Sequence, residues 1–311
     1  MPDAPAPVSL TKFAWLSIAA SVATITLKTG AWLITGSVGL LSDAAESVVN
    51  LVAAILALLM LRLAAQPPDE HHHFGHAKAE YFSAAVEGVL IFLAAVVIVV
   101  SATNRLLHPR PLDNVGLGLG ISVVASLVNG GVGFLLIRAG RRHRSITLEA
   151  DGKHLLTDVV TSVGVLIGVL LVKLTGWDRL DPIVAIAVGV NIIWTGFKLI
   201  RQSTGGLMDQ TLSAADNQTI AAAIARHADA DVLFHGLRTR QSGRLRFVTF
   251  DMLVPGDWTV RQGHDRLEEV QQAVCGALPD LQVTIHLEPR EDPRSYDDYA
   301  VEVSLPPAEP V

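Results

Sequence analysis

Long apolar runs separated by short polar breaks fill the first two thirds of the chain and then stop. Runs approaching the twenty or so residues needed to cross about 30 Å of hydrocarbon are predicted as helices over 13–35, 39–63, 81–104, 115–137, 147–174 and 182–203. From about Met208 charges recur every few residues and no comparable run appears. The pattern predicts an α-helical membrane domain of six transmembrane helices over 13–207, followed by a soluble domain over 208–292. Residues 1–12 are expected to be a cytoplasmic segment, since "MPDAPAPVSL" lacks the basic start of a cleavable signal peptide, and 293–311 a disordered tail.

In the soluble part "AADNQTIAAAIARHADA" and "RQGHDRLEEVQQAVCGAL" read as helices, while "DVLFHGLRTRQS", "RLRFVTFDMLV" and "LQVTIHLEP" read as strands. The resulting α-β-β-α-β order argues for a small α+β layer. Alternation puts Val248, Phe250, Met252 and Val254 on one face of the second strand with Asp251 opposite, and Leu281, Val283, Ile285 and Leu287 opposite His286 and Glu288 in the last. His235, Asp251, His286 and Glu288 are candidate metal ligands on one surface, the alternative being an ordinary solvated strand face.

Composition agrees with a bilayer as solvent: 50% of the 311 residues are hydrophobic and 17% charged, with a mean hydropathy of +0.42. Cys275 is the single cysteine, so neither an internal disulfide nor a cysteine-cluster metal site is available. A net charge of −6 gives nucleic acid no reason to bind. Arg62, Lys78, Arg138, Arg141, Arg142 and Arg144 fall in the second-to-third and fourth-to-fifth connections, whereas 36–38 carries no basic residue. Despite Arg105 and Arg110 in the 105–113 loop, this bias predicts that both termini are cytoplasmic.

Ionisable groups inside the spans are costly and normally face a bundle interior or a water-filled path. The second predicted helix places Asp43, Glu46 and Asn50 at i, i+3 and i+7, and the fifth places Asp151, His154 and Asp158 at the same spacing, so each trio forms one stripe. If the stripes face each other, Glu46 lies near the level of Asp158 and Asn50 near that of His154. One imidazole, two carboxylates and an amide suit a first-row dication; the alternative is that the groups hold helices together by hydrogen bonds. Asp43 and Asp151 flank this set on opposite sides, as staging carboxylates along a pathway or as braces and helix caps. After the second helix, "QPPDEHHHFGHAKAE" brings Asp69, His72 and His76 to i, i+3 and i+7, a transition-metal site or a solvated polar loop.

The stretches "TGSVGLLSDAAESVVN", "DEHHHFGHAKAE", "ADGKHLLTDVVTS" and "FHGLRTRQSGRLRFVTFDM" together resemble the cation diffusion facilitator family of divalent-metal exporters. The resemblance implies a transport site at Glu46, Asn50, His154 and Asp158, where Glu46 and Asn50 depart from the family's usual Asp or His followed by Asp. It further implies a ferredoxin- or metallochaperone-like cytoplasmic domain that dimerises and binds metal at His235, Asp251, His264, His286 and Glu288. Lys78 and Asp209 match charges that interlock two protomers. Proton-coupled antiport by alternating access in the cell membrane, by a homodimer with protons as counter-substrate, is the implied mechanism. Imidazole with oxygen donors ranks Zn²⁺ first and Fe²⁺ close behind, with Co²⁺ and Mn²⁺ accommodated. No HExxH, nucleophile elbow or phosphate-binding glycine loop is present, so neither enzyme activity nor a catalytic cofactor is expected. Asn50 keeps a non-transporting membrane metal sensor or scaffold as the alternative.

Overall fold

The computed structural model describes residues 10–35, 38–108, 116–177, 179–296 and 301–306. Six long helices come first: α1 (Thr11–Thr35), α2 (Val38–Ala64), α3 (Ala79–Leu107), α4 (Gly116–His143), α5 (Ile146–Thr175) and α6 (Leu180–Leu207). Five contain described stretches long and apolar enough to cross a membrane; α5, whose first half holds Glu149, Asp151, Lys153 and Asp158, is not among them. Side chains such as Leu93, Val97, Leu127, Phe134 and Trp194 point outward and stay exposed. Hydrocarbon solvates such a surface, while helical hydrogen bonding satisfies the backbone behind it.

Helix α4 runs six residues beyond its predicted end at 137, through the arginine-rich segment to His143. Arginine is a good helix former and its charge is favourable at a helix C-terminus. The reversal into α5 then needs only Arg144, at φ 53, and Ser145. Ser145 caps α5 by accepting from the Leu148 amide and donates its own hydroxyl to Glu80 Oε2. Thr147 Oγ1 donates to the Glu80 carbonyl at 3.2 Å, so α3 and α5 start side by side at the same end of the bundle.

Small residues set how closely the helices approach. A Cβ on Gly152 would lie 2.7 Å from the Gly133 carbonyl oxygen and 2.9 Å from the Ile137 nitrogen, so α4 and α5 pack backbone to backbone. Around this contact α1, α2, α4 and α5 converge on Ala14, Leu58, Leu136, Leu148 and Leu155.

The chain divides into two compact units at Gly205/Gly206. The second contains α7 (Ala214–Ala225), β1 (Leu233–Ser242), β2 (Leu245–Val254), α8 (Val260–Ala277), β3 (Leu281–Pro289) and a 3₁₀ turn over Pro293–Tyr296. Strand order is β1-β2-β3, with β1 antiparallel and β3 parallel to β2. A parallel neighbour requires a crossover, which α8 supplies; it starts at a reciprocal capping box between Thr259 and Gln262. The predicted inward face of β2, Val248, Phe250, Met252 and Val254, is buried together with Ile220, Ile224, Val270 and Val274. Of the tail expected to be disordered, 293–296 and 301–306 are described. Val303 donates its amide to the Leu237 carbonyl at 2.8 Å, and Val303 and Leu305 pack against the core, because two alternate apolar residues fit beside the edge strand β1.

Candidate metal centre

Among the polar side chains buried in the helical unit are Asn50 on α2, Asn129 on α4, and His154 and Asp158 on α5. Asn50 Nδ2 and Asn129 Nδ2 both donate to Asp158 Oδ2, the latter at 3.1 Å. Helical side chains lean toward their own N-terminus. With α2 and α5 antiparallel, Asn50 and Asp158 therefore lean toward each other, and Asn50 reaches past the level of His154 at which simple spacing puts it. Asn50 Oδ1, Asn129 Oδ1 and both ring nitrogens of His154 have no hydrogen-bond partner among the described residues. Buried groups of these types are normally paired. Two amide oxygens and an imidazole lone pair left over beside a carboxylate are donors that suit a first-row dication. The side chains of Glu46 and Asp43 lie outside the described residues, although both positions fall on α2.

Asn129 was not among the sequence candidates. Its signal was a lone amide in an apolar run, "SLVNGGVGF". What makes it a site residue is the backbone contact at Gly133 and Gly152, one turn from it, which brings α4 close enough for its amide to reach Asp158.

The loop trio does assemble. Asp69, His72 and His76 offer ligand atoms all within 4.8 Å of one another. The segment does not coil into a helix: Asp69 Oδ1 accepts from the backbone amides of His71 and His72, at 2.9 and 2.7 Å, and Gly75, at φ 77 against Pro68, turns the chain back. His72 Nδ1 lies 3.2 Å and His76 Nε2 3.3 Å from the Asp69 carboxylate. The backbone bond from His71 is the largest of the effects that hold this carboxyl below its ordinary pKa, which keeps it anionic for a metal. Three ligands with one position open suit an exchangeable ion.

In the second unit the register pairs His235 with Asp251 and Asp251 with His286 across the sheet. A bulge after His235, with Gly236 at φ 65, sets the local direction of β1. His235 Nε2 comes 3.3 Å from Glu288 Oε2, and His286 Nδ1 lies 3.1 Å from Glu288 Oε1 and 3.5 Å from Asp251 Oδ1. The four strand candidates thus meet on one surface. His264 does not join them within one chain: it is exposed on α8, next to Gly263, which packs on Leu287 of the opposite face. Asp209 accepts from Arg240 Nη1 at 3.0 Å within its own unit.

Burial pushes the Asp251 carboxyl above its ordinary pKa, with the Glu288 charge adding to the effect and His235 opposing it. A carboxylate whose folded pKa is raised costs the fold stability once pH exceeds that of the unfolded group. Asp251→Asn is expected to raise the melting temperature of the metal-free second unit at pH 7 by at most a few degrees, solvent screening weakening the effect at a partly exposed group, and to remove most of the further rise on adding Zn²⁺. Calorimetry on both forms checks it; a lower metal-free melting temperature would show that the carboxylate braces the sheet instead.

Comparison with known proteins identifies the two domains. The family model for the cation efflux transmembrane domain matches residues 14–208, and the model for the cytoplasmic domain of cation efflux proteins matches 212–290. The "Uncharacterized transporter sll1263" of Synechocystis sp. is 50% identical over 284 residues, 91% of this chain and 92% of its own. The cation-efflux pump FieF of Salmonella choleraesuis is 30% identical over 280 residues, 88% of this chain and 91% of its own. A solved structure titled "Mode of Action of a Putative Zinc Transporter CzrB (Zn form)" is 34% identical, covering 26% of this chain and 93% of that one, with a TM-score of 0.25. Built from two matched domains in the family's own order, the chain belongs to the cation efflux, or cation diffusion facilitator, family of multi-pass membrane proteins, which transport divalent metal ions and are not enzymes.

Proposed function

We propose that this protein exports a divalent transition metal from the cytoplasm in exchange for protons, by alternating access to a site formed by Glu46, Asn50, His154 and Asp158 with Asn129 as an added oxygen donor. The observation that carries the reading is His154, whose two buried ring nitrogens have no partner among the described residues, beside an Asp158 that already gathers two amides. Two carboxylates, a neutral imidazole and amides formally neutralise a dication. A metal must displace protons from such ligands, so binding is linked to proton release, and imidazole ordinarily titrates near neutral pH. Zn²⁺ is the preferred cargo and Fe²⁺ the next, because the imidazole favours them over harder ions.

In this reading both termini lie on the cytoplasmic side with the arginine-rich connections, and two chains form a homodimer through the cytoplasmic unit. Asp69, His72 and His76 collect metal near the membrane surface. His235, Asp251, His286 and Glu288 sense it on the sheet, and His264 completes a site only with groups beyond its own chain. Lys78 and Asp209 interlock the protomers, with Arg240 holding the Asp209 side chain in place. Asp43 marks the exit side of the pathway.

Proteoliposomes loaded with a fluorescent metal reporter test this directly. Zn²⁺ uptake that rises with an opposing proton gradient is expected. Metal binding without any flux across the sealed bilayer would leave a sensor rather than a transporter. In the same assay Asn50→Asp is expected to change the ranking of Zn²⁺, Fe²⁺ and Mn²⁺ by about tenfold, since an anionic oxygen alters charge and denticity. An unchanged metal profile would place Asn50 outside the coordinating set.

A further inference from the structure

The helical unit buries a second polar cluster that the central site does not use. Glu87 on α3 and Asp151 on α5 are both 0% exposed. Glu87 stands seven residues beyond Glu80, hence on the same helix face and about 10 Å further along, and Glu80 is the residue tied to Ser145 and Thr147 at the start of α5. The neighbouring helices therefore carry Glu87 and Asp151 into the same layer, where the two carboxylates act on each other electrostatically. Asp151 is one turn from His154 on α5.

Each carboxylate is held in the same way. Ser83 Oγ donates to Glu87 Oε1 at 3.2 Å, and Ser17 Oγ donates to Asp151 Oδ1 at 3.1 Å. The second oxygen of each, Glu87 Oε2 and Asp151 Oδ2, has no hydrogen-bond partner among the described residues, and neither residue has a cationic partner there. A third orphan stands nearby in sequence: Ser21 Oγ, one turn along α1 from Ser17, is fully buried and likewise has no partner among the described residues. It belongs to a stripe of Ser17, Ser21, Thr24 and Lys28, spaced 4, 3 and 4 residues apart, that α1 turns wholly into the bundle. Burying two carboxylates in a low-dielectric interior without a counter-charge is costly enough that such groups are found with cations or in ion pathways.

We propose that Glu87 and Asp151, braced by Ser83 and Ser17, form a second divalent-cation station in the membrane domain, lying between the cytoplasm and the centre at Asn50, His154 and Asp158. This rests on the transport reading above. Two anchored carboxylates each present one free oxygen, and their two charges balance a dication. The donor set is all oxygen, which accepts hard ions such as Mn²⁺ as readily as Zn²⁺. Discrimination then falls to the imidazole one turn further on. The station loads broadly and the centre selects.

The test counts Mn²⁺ bound to the purified full-length protein in detergent, by equilibrium dialysis and electron paramagnetic resonance, alongside Zn²⁺ flux in proteoliposomes. Glu87→Gln and Asp151→Asn are each expected to lose one Mn²⁺ per chain and to slow Zn²⁺ flux about tenfold. His154→Ala is expected to abolish flux yet keep that Mn²⁺. Glu87→Asp retains the charge while withdrawing the oxygen by one methylene; should Glu87→Gln not fold, its Mn²⁺ affinity is expected to fall about tenfold. Unchanged Mn²⁺ stoichiometry and affinity in Glu87→Gln or Glu87→Asp and in Asp151→Asn overturns the proposal, and fewer protons released with the same Mn²⁺ count would make the pair a proton carrier only. If His154→Ala transports like wild type, the transport site itself is misassigned, which is a separate failure.

Discussion

Asp158→Asn is expected to reduce metal flux in proteoliposomes by more than about 100-fold, the upper end of what residues one shell further from a metal cost when lost. The substitution removes the central anionic charge but leaves an oxygen that can accept from Asn50 and Asn129. The choice of asparagine matters. Alanine would strand two buried amide donors, at about 1–3 kcal/mol each, and a loss of flux could then be blamed on a damaged bundle. With asparagine the two effects separate, because relieving a buried negative charge does not destabilise the metal-free protein. Flux and melting temperature measured on the same detergent-purified sample decide the matter. Near-normal flux in a folded Asp158→Asn protein would remove Asp158 from the ligand set.

Gly152→Val is expected to be the most damaging change that touches no ligand. Its first added carbon would sit 2.7 Å from the Gly133 carbonyl oxygen and 2.9 Å from the Ile137 nitrogen. Those neighbours are backbone atoms and cannot rotate aside, so α4 and α5 must separate. Overpacking of this kind costs about 1–3 kcal/mol or more. The separation also withdraws Asn129 from Asp158, which it reaches at 3.1 Å. A broad or aggregated gel-filtration profile, a melting temperature lower by several degrees and a flux loss of at least about tenfold are the expected results, with Gly152→Ala intermediate. A monodisperse Gly152→Val protein with wild-type flux would show that the helices tolerate a wider spacing and that Asn129 is dispensable.

Much of this molecule was written in local patterns. Apolar runs of bilayer length, with arginine and proline at their breaks, locate the six helices, because a chain in hydrocarbon has few other ways to satisfy its backbone. Alternation along β2 and β3 separates Met252 from Asp251 and Leu287 from His286, since a strand turns successive side chains to opposite faces whatever its neighbours are. The i, i+3, i+7 spacing put Asn50 and Asp158 on stripes that do meet, and it put Asp69 with His72 and His76 although the loop closes by turns rather than a helix. Groups whose roles depend on another helix's distance and rotation were beyond that reach. Asn129 looks like any amide in a span until the glycines of α4 and α5 bring the backbones together. Glu87 looks like a lone acid on α3 until Ser145 and Glu80 fix the register that carries it to Asp151. Ser17 and Ser21 look like small packing residues until α1 turns inward. His264 shows the converse, a chemically apt residue that the packing of α8 keeps away from the sheet surface in its own chain. Periodicity decides which side of an element a residue occupies; only the packing of one element on another decides what that side faces.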